Sequence, residues 1–211
     1  MRFLLLIMAK SPVPGQVKTR LCPPLSRTEA AEVAAASLLD TISAALTTPG
    51  AVPVVALSGV AQREDVREAL AECVVIPQRG RTFAERLVHA HADVARFGMP
   101  VLQIGMDTPQ VTPSLLESCA SFEEAALGFA LDGGWWALGL RDPLRARALL
   151  DVPMSRADTG ARTLEALHGL KVRHLPILSD VDTMVDARVV AKQAPASRFA
   201  AALAGIAAVT R

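Results

Sequence analysis

The sequence contains few cysteines and no paired arrangement of them. Cys22, Cys73 and Cys119 lie far apart, and none belongs to a Cys-x-x-Cys motif. An odd number of widely spaced cysteines does not suit a framework of disulfide bonds. The simplest expectation is therefore a protein of the reducing cytoplasm.

The chain also lacks a basic stripe and a long hydrophobic run. Its 22 lysines and arginines nearly balance 21 aspartates and glutamates, for a formal net charge of +1 over 211 residues. This balance gives no indication of a nucleic-acid partner or of an anionic membrane. The apolar run at residues 2–8 passes directly into Lys10 and is too short for a signal peptide or a membrane span. We expect neither partner.

Familiar catalytic and phosphate-binding motifs are missing as well. No Gly-x-Gly-x-x-Gly follows the first apolar run, and the sequence around Gly15 and Lys18 lacks the glycines of a P-loop. No Ser/His/Asp or Cys/His pairing indicates covalent catalysis. His89 and His91 are two residues apart on a predicted helix, so they cannot chelate one ion together, and we expect both on the surface.

Strand-like and helix-like segments alternate along the chain. Apolar runs predict strands at residues 2–8, 52–57, 73–76, 100–105, 125–130, 135–140 and 171–175. Helix-start signals lie between several of them: capping boxes at Ser26/Glu29 and Thr82/Glu85, and Thr112 before Pro113. A last helix is expected within residues 194–209. This alternation predicts one α/β domain over residues 1–211, with three layers and a mostly parallel sheet.

The loop after the first strand carries three cations, Lys10, Lys18 and Arg20, beside Gly15. Open α/β sheets bind phosphorylated ligands at such strand ends. Lysine and arginine neutralise phosphate, and glycine lets the backbone approach it. The loop therefore indicates a diphosphate site, although a solvated basic loop would have the same composition.

Acidic residues follow three of the later strands. Asp107 could ligate a hard cation or cap a turn. Asp132-Gly133-Gly134 could contact a sugar, and it also predicts the turn of an antiparallel pair. Asp180 and Asp182 are expected to point to opposite sides of an extended segment, so that only one of them faces a metal. Alternatively, Asp182 caps the following helix.

In their order, these segments resemble the DUF2064 family. The resemblance rests on residues 8–21, 104–109, 132–134, 175–176 and 180–183, and it covers nearly the whole chain. It implies a Rossmann-like GT-A fold, as in nucleotide-diphospho-sugar transferases. A more distant similarity links the chain to the molybdenum-cofactor and 2-phospho-lactate guanylyltransferases.

The resemblance also implies roles for individual residues. It assigns nucleotide binding to Lys10, Gly15, Lys18, Thr19, Arg20, Gln78 and Arg86. It assigns substrate contacts to Gly133, Gly134, Trp135 and Ser155, and the binding of a divalent ion, Mg²⁺ or Mn²⁺, to Asp107 and Asp182. Asp132 and Asp182 are the implied catalytic residues. The chain departs from the family pattern at Arg81, where an acid is usual, at Trp135 and Trp136, where tyrosines are usual, and at Met154 and Arg156.

The implied function is that of a glycosyltransferase. Such an enzyme moves a sugar from a nucleoside-diphosphate sugar to a small acceptor with the help of a divalent metal. A nucleotidylyltransferase that acts on a phosphorylated small molecule would use the same residues. A degenerate nucleotide-binding protein is a third possibility, because of Arg81 and Arg156. The sequence gives no indication of the oligomeric state.

Overall fold

The first apolar run forms the middle of the sheet. In the computed structural model, which describes residues 1–209 and side chains as far as residue 206, β1 (Phe3–Lys10) is buried from Phe3 to Ala9. Its side chains alternate between two apolar clusters, one on each face of the sheet. A strand covered on both faces has no solvent-facing residues, which explains its continuous apolar sequence.

Seven strands form one mixed sheet. The others are β2 (Ala51–Ser58), β3 (Val74–Pro77), β4 (Val101–Gly105), β5 (Ala125–Phe129), β6 (Trp135–Leu140) and β7 (Val172–His174). Their spatial order is β3-β2-β1-β4-β6-β5-β7. β6 is antiparallel to β4 and β5, and the remaining pairs are parallel. The predicted mostly parallel sheet with an antiparallel pair is confirmed.

Helices cover both faces of this sheet. They are α1 (Arg27–Thr47), α2 (Glu64–Ala71), α3 (Phe83–Ala95), α4 (Pro113–Cys119), α5 (Thr159–Ala166), α6 (Met184–Gln193) and α7 (Arg198–Val209). The predicted caps at Ser26, Thr82 and Thr112 are confirmed. α6 is capped by Thr183 in a capping box with Asp186, so the alternative in which Asp182 caps this helix is wrong. Asp182 is therefore available for other contacts.

The longest helix lies in the core. By length and composition α1 could cross a membrane, but 67% of its apolar window is buried inside the fold. Residues such as Leu38 and Ile42 pack in the cluster on one face of the sheet. The hydroxyl of Ser37 donates a 2.6 Å hydrogen bond to the carbonyl of Met106, just beyond β4. α1 thereby holds the segment that carries Asp107.

A bulge shapes the end of β6. Phe129 pairs with Trp135 whereas Gly128 pairs with Ala137, which leaves Trp136 as the additional residue. Trp135 consequently packs on the α3 side of the sheet, and Trp136 is buried in the cluster on the α1 side. Bulges beside functional sites redirect side chains in this way.

Candidate functional site

A cleft opens where the carboxyl ends of β1 and β4 meet the start of α3. Its volume is about 540 Å³, which suits a small-molecule ligand. Met8, Gln103 and Gly105 line it from the strands. The remaining lining includes Phe83 and Arg86 of α3, Trp135, residues 154–157, and the charged side chains of Lys10, Arg20, Asp107, Asp132, Asp180 and Asp182. β1 has β2 on one side and β4 on the other, so this is the switch point at which open α/β sheets bind ligands.

Most of the predicted site residues line this cleft or a pocket of about 260 Å³ beside it. Lys18 and Thr19 line the smaller pocket, which shares several charged residues with the cleft. Gly15 and Gly133 line neither. The structure thus brings the basic loop and the acids together, while the roles assigned to the individual residues stay predictions.

Lys18 connects the basic loop to two of the acids. Its side chain is 9% exposed, and Nζ lies 2.6 Å from Asp107 Oδ1 and 3.7 Å from Asp182 Oδ1. The ammonium also donates a hydrogen bond to the carbonyl of Val181. A largely buried cation needs such partners, since an unpaired charge in the interior is strongly destabilising. Lys18 therefore fixes the relative positions of β4's end and the segment before α6.

The other two cations of the loop are more accessible. Arg20 NH1 lies 2.7 Å from Asp182 Oδ2, and the Arg20 side chain is 70% exposed. Lys10 Nζ donates a 2.8 Å hydrogen bond to the carbonyl of Gln16. Both cations can turn toward a phosphate without uncovering a buried charge.

Three carboxylates converge next to these cations. Oxygens of Asp132, Asp180 and Asp182 all lie within 4.8 Å of one another. Burial, reinforced by the charges of Asp132 and Asp182, raises the pKa of Asp180 to about 6. Such crowding is relieved by a cation, and carboxylate oxygens are the ligands that Mg²⁺ and Mn²⁺ prefer. The residues present fit a divalent ion.

The expectation that Asp180 and Asp182 point to opposite sides was wrong. Side chains alternate along an extended segment, so residues two apart share a side and the residue between them faces the other way. Val181 is that residue: it is buried in the cluster of α6 and α7, and its N–H donates a 2.9 Å hydrogen bond to the carbonyl of Asp107. Asp180 joins the site as a member that the sequence-based assignment had left out.

The Asp132-Gly133-Gly134 turn is held by hydrogen bonds and also presents a carboxylate to the cleft. One oxygen of Asp132 accepts a 2.8 Å hydrogen bond from the N–H of Gly134. The carbonyl of Gly133 accepts one of 2.8 Å from Gly160, which ties the turn to the start of α5. Asp132 keeps its second oxygen for a ligand.

The cleft and the smaller pocket beside it also contain unusual backbone conformations. Among the residues that the structure describes, the non-glycine residues with positive φ are Lys18, at 47°, and Ser155, at 60°. Both line the site. Residues held in this region cost free energy and concentrate at functional sites.

On the α3 side, Gln78 can offer the ligand only an acceptor. Its amide nitrogen donates 2.8 Å hydrogen bonds to the carbonyls of Ala9 and Ala56, which leaves the amide oxygen. Arg86 donates a 3.3 Å bond to the carbonyl of Gly80. Phe83, which the sequence-based assignment missed, lines the cleft with 48% of its surface exposed. An exposed ring there offers a face on which a flat ligand could stack.

The prediction that His91 lies on the surface was wrong. His91 is fully buried on the inner face of α3, and its Nε2 lies 3.3 Å from Oε1 of Gln103. Its position continues the apolar stripe of Ala84, Leu87 and Val94, a signal that could have revealed its burial. His89 is the half-exposed histidine of the pair, bonded to the carbonyl of Arg79 at 2.9 Å.

Burial of His91 should make the fold sensitive to acid. Burial lowers the pKa of His91 to about 4, below the value near 6.5 of an unfolded chain. The unfolded state therefore binds more protons, and the contribution of His91 to stability, complete above pH 6.5, is lost as the pH falls through 4. The free energy of unfolding that is lost in this way amounts to about 3 kcal/mol. In urea unfolding from pH 7 to 4, His91→Leu should lose less stability than the wild type by this amount, and His89→Ala should not differ from the wild type.

The comparisons with known proteins agree with this architecture. A family model described as "Uncharacterized protein conserved in bacteria (DUF2064)" matches residues 41–156, more than half of the chain. The chain belongs to the DUF2064 family. The resemblance inferred from the motifs is thereby confirmed, and the matched residues include Gln78, Asp107 and the turn at Asp132. The basic loop and Asp182 lie outside them. No curated protein matches the chain by sequence.

Solved structures share the fold of this DUF2064 protein. A proposed nucleotide-diphospho-sugar transferase from Desulfovibrio desulfuricans G20 is 24% identical, with 99% of this chain and 96% of that chain covered and a TM-score of 0.86. CMP:2-keto-3-deoxy-manno-octonic acid synthetase complexed with CTP is 15% identical, with 92% and 99% covered and a TM-score of 0.54. Rv0371c of Mycobacterium tuberculosis H37Rv, in complex with manganese, is 21% identical, with 90% and 98% covered and a TM-score of 0.53. The expected nucleotide-diphospho-sugar transferase fold is confirmed.

Proposed function

We propose that this DUF2064 protein is a transferase that moves a sugar from a nucleoside-diphosphate sugar to a small acceptor with the help of Mg²⁺ or Mn²⁺. It would act in the cytoplasm, as one domain of residues 1–211. The observation that carries the proposal is the meeting of cations and carboxylates in one cleft at the carboxyl ends of β1 and β4. A diphosphate needs both, because fixed cations and a carboxylate-bound metal together neutralise its charge.

The cations of the loop would bind the donor. Lys10 and Arg20 are accessible enough to hold phosphate oxygens, Arg20 in a bidentate manner. Lys18 stays between Asp107 and Asp182 and adds a positive charge to the site. These cations would stabilise the negative charge that builds up on the leaving diphosphate.

The carboxylates would hold the metal and manage the proton. Asp180 and Asp182, two members of the carboxylate cluster, would ligate the ion, which would act as a Lewis acid toward the diphosphate. Asp132 is exposed and keeps one oxygen without a hydrogen-bond partner in the described part of the chain, so it would accept the proton of the acceptor hydroxyl as the new glycosidic bond forms. The bond from the sugar to the diphosphate breaks, and the nucleoside diphosphate leaves.

Nucleotidyl transfer is the second candidate function. It is favoured by the likeness to a synthetase that was solved with CTP and to 4-diphosphocytidyl-2C-methyl-D-erythritol synthase, each at a TM-score of 0.54. In that reaction a phosphorylated acceptor attacks the α-phosphorus of a nucleoside triphosphate, and pyrophosphate leaves. The same cations and metal would stabilise this leaving group.

Thermal unfolding against a panel of ligands tests both functions. The panel contains nucleoside mono-, di- and triphosphates and sugar nucleotides, each with and without Mg²⁺ or Mn²⁺. A ligand at 100 times its dissociation constant stabilises the fold by about 2.7 kcal/mol, which should raise the midpoint by about 5–10 °C. We expect a metal-dependent shift with a diphosphate sugar. A shift with triphosphates alone would favour nucleotidyl transfer, and no shift with any ligand would contradict both.

A further inference from the structure

Gln103 is a polar side chain in an apolar part of the sheet. It lies in the middle of β4, opposite Leu6 of β1 and Leu138 of β6, and only 2% of its surface is exposed. It nevertheless lines the cleft. Burying an amide is costly unless both its oxygen and its nitrogen find hydrogen-bond partners. The two ends of this amide therefore need separate explanations.

The oxygen end is satisfied by His91. Nε2 of His91 lies 3.3 Å from Oε1 of Gln103, and Nδ1 of His91 is buried with no partner among the described residues. If Nδ1 carried the proton, a buried N–H would lack an acceptor, which is less tolerated than a buried acceptor nitrogen without a donor. The proton therefore belongs on Nε2. His91 then donates to Gln103 and remains neutral, as expected for a fully buried imidazole.

The nitrogen end has no hydrogen-bond partner among the residues that the structure describes. Nε2 of Gln103 makes no hydrogen bond with them, and the atom is not fully buried. It must therefore reach the open space of the cleft, which Gln103 lines. His91 holds the oxygen toward α3, and this orientation directs the two N–H groups of the amide to the ligand side.

We propose that Gln103, positioned by His91, recognises the ligand by donating a hydrogen bond to one of its uncharged oxygens, a hydroxyl or a carbonyl. This inference rests on the proposed function and extends it to specificity. The phosphates have Lys10 and Arg20 as partners, whereas a neutral amide suits the neutral part of a sugar nucleotide. The acceptor oxygen belongs either to the nucleoside or to the sugar. Gln103 would be a binding residue, and His91 would be a positioning residue that acts through it.

Substitutions at both positions test the inference. Gln103→Leu keeps the size of the side chain and matches its apolar neighbours, but it removes the donor. His91→Leu leaves the amide of Gln103 free to turn, whereas His91→Gln restores an N–H for its oxygen. The matched control is His89→Ala on the same helix, because His89 contacts Arg79 rather than the cleft. Thermal midpoints without ligand verify that each variant is folded.

The measurement is calorimetric titration with Mn²⁺ and two probes, UDP and UDP-glucose, or the corresponding pair for whichever base stabilises the wild type. We expect Gln103→Leu to weaken binding about 5- to 10-fold, as the loss of one hydrogen bond would. His91→Leu should weaken it by a smaller factor, and His91→Gln should recover part of that loss. A loss confined to UDP-glucose would place the acceptor oxygen on the sugar, and an equal loss for UDP would place it on the nucleoside.

Two results would overturn the inference, and they differ in their meaning. If the wild type binds a probe and folded Gln103→Leu binds it equally well, Gln103 does not recognise the ligand, and the proposed function stands. If the wild type binds no nucleotide of the panel with either metal, the proposed function fails and this inference fails with it.

Discussion

Replacing Asp182 by asparagine should weaken metal-dependent nucleotide binding about 100-fold or more and leave the fold intact. Asp182 contacts both halves of the site: its carboxylate lies 2.7 Å from Arg20 and 3.7 Å from Lys18, and it belongs to the carboxylate cluster with Asp132 and Asp180. The substitution removes a charged ligand of the metal, and charged ligands dominate the binding of hard cations. Losses of a hydrogen-bonded charge of this kind are typically 100-fold or larger.

The fold should tolerate this change because no buried charge loses its last partner. Lys18 keeps Asp107 at 2.6 Å and the carbonyl of Val181. Arg20 is 70% exposed and returns to water. Exposed ion pairs contribute little to stability. The thermal midpoint without metal should consequently stay close to that of the wild type.

Titration of Mn²⁺ and then of nucleotide into each variant measures the effect. Asp151→Asn is the matched control. It makes the same chemical change away from the cleft, because Asp151 is exposed at the end of a 3-10 segment. Asp107→Asn tests the sequence-based ligand assignment: an equal loss would place the ion between Asp107 and Asp182, and a smaller loss would restrict it to the cluster. Wild-type affinity in folded Asp182→Asn would refute the metal site.

The helices and strands were predictable because their signals are local. A capping box such as Ser26/Glu29 forms between residues three apart, and its sequence therefore predicts it directly. The continuous apolar run of β1 predicts a strand that is covered on both faces, and this too can be recognised from a short segment of sequence. The general position of the site followed from topology, because loops after parallel strands meet at one edge of the sheet.

The contacts within the site could not be predicted in the same way. Lys18 was expected to meet phosphate, and the structure pairs it with Asp107 and Asp182, far along the chain. Trp135 faces the α3 side only because a bulge shifts the alternation of β6, and no residue pattern near Trp135 indicates that bulge. Such features depend on long-range packing.

Two errors had a different origin, since the sequence contained the necessary information. His91 continues the apolar stripe of α3, which predicts an inward position whatever the chemistry of its ring. Asp180 and Asp182 flank an apolar valine, and this pattern places both carboxylates on one side. In both cases the spacing of residues was a better guide than their chemical type.

Replacing Gly133 by alanine should destabilise the fold by about 3–5 kcal/mol and lower the thermal midpoint by about 10 °C or more. Gly133 has a φ of 88°, and a Cβ added there would overlap the carbonyl oxygen of Ala157 and lie 2.7 Å from its carbon. Both the left-handed backbone and the contact oppose a side chain. The neighbouring carbonyl cannot move freely, because the turn is tied to Gly160 by a 2.8 Å hydrogen bond.

Gly169→Ala separates these two causes. Gly169 has a φ of 83°, nearly that of Gly133, but a Cβ there would meet nothing within 4 Å. Gly169→Ala should therefore lower the free energy of unfolding only by the strain of the left-handed backbone, about 1–2 kcal/mol. The difference between the two variants in urea unfolding measures the close approach of the turn to residues 154–157, which line the cleft. Equal destabilisation of the two variants would show that the turn does not contact residues 154–157. The turn would then not hold this part of the cleft in place.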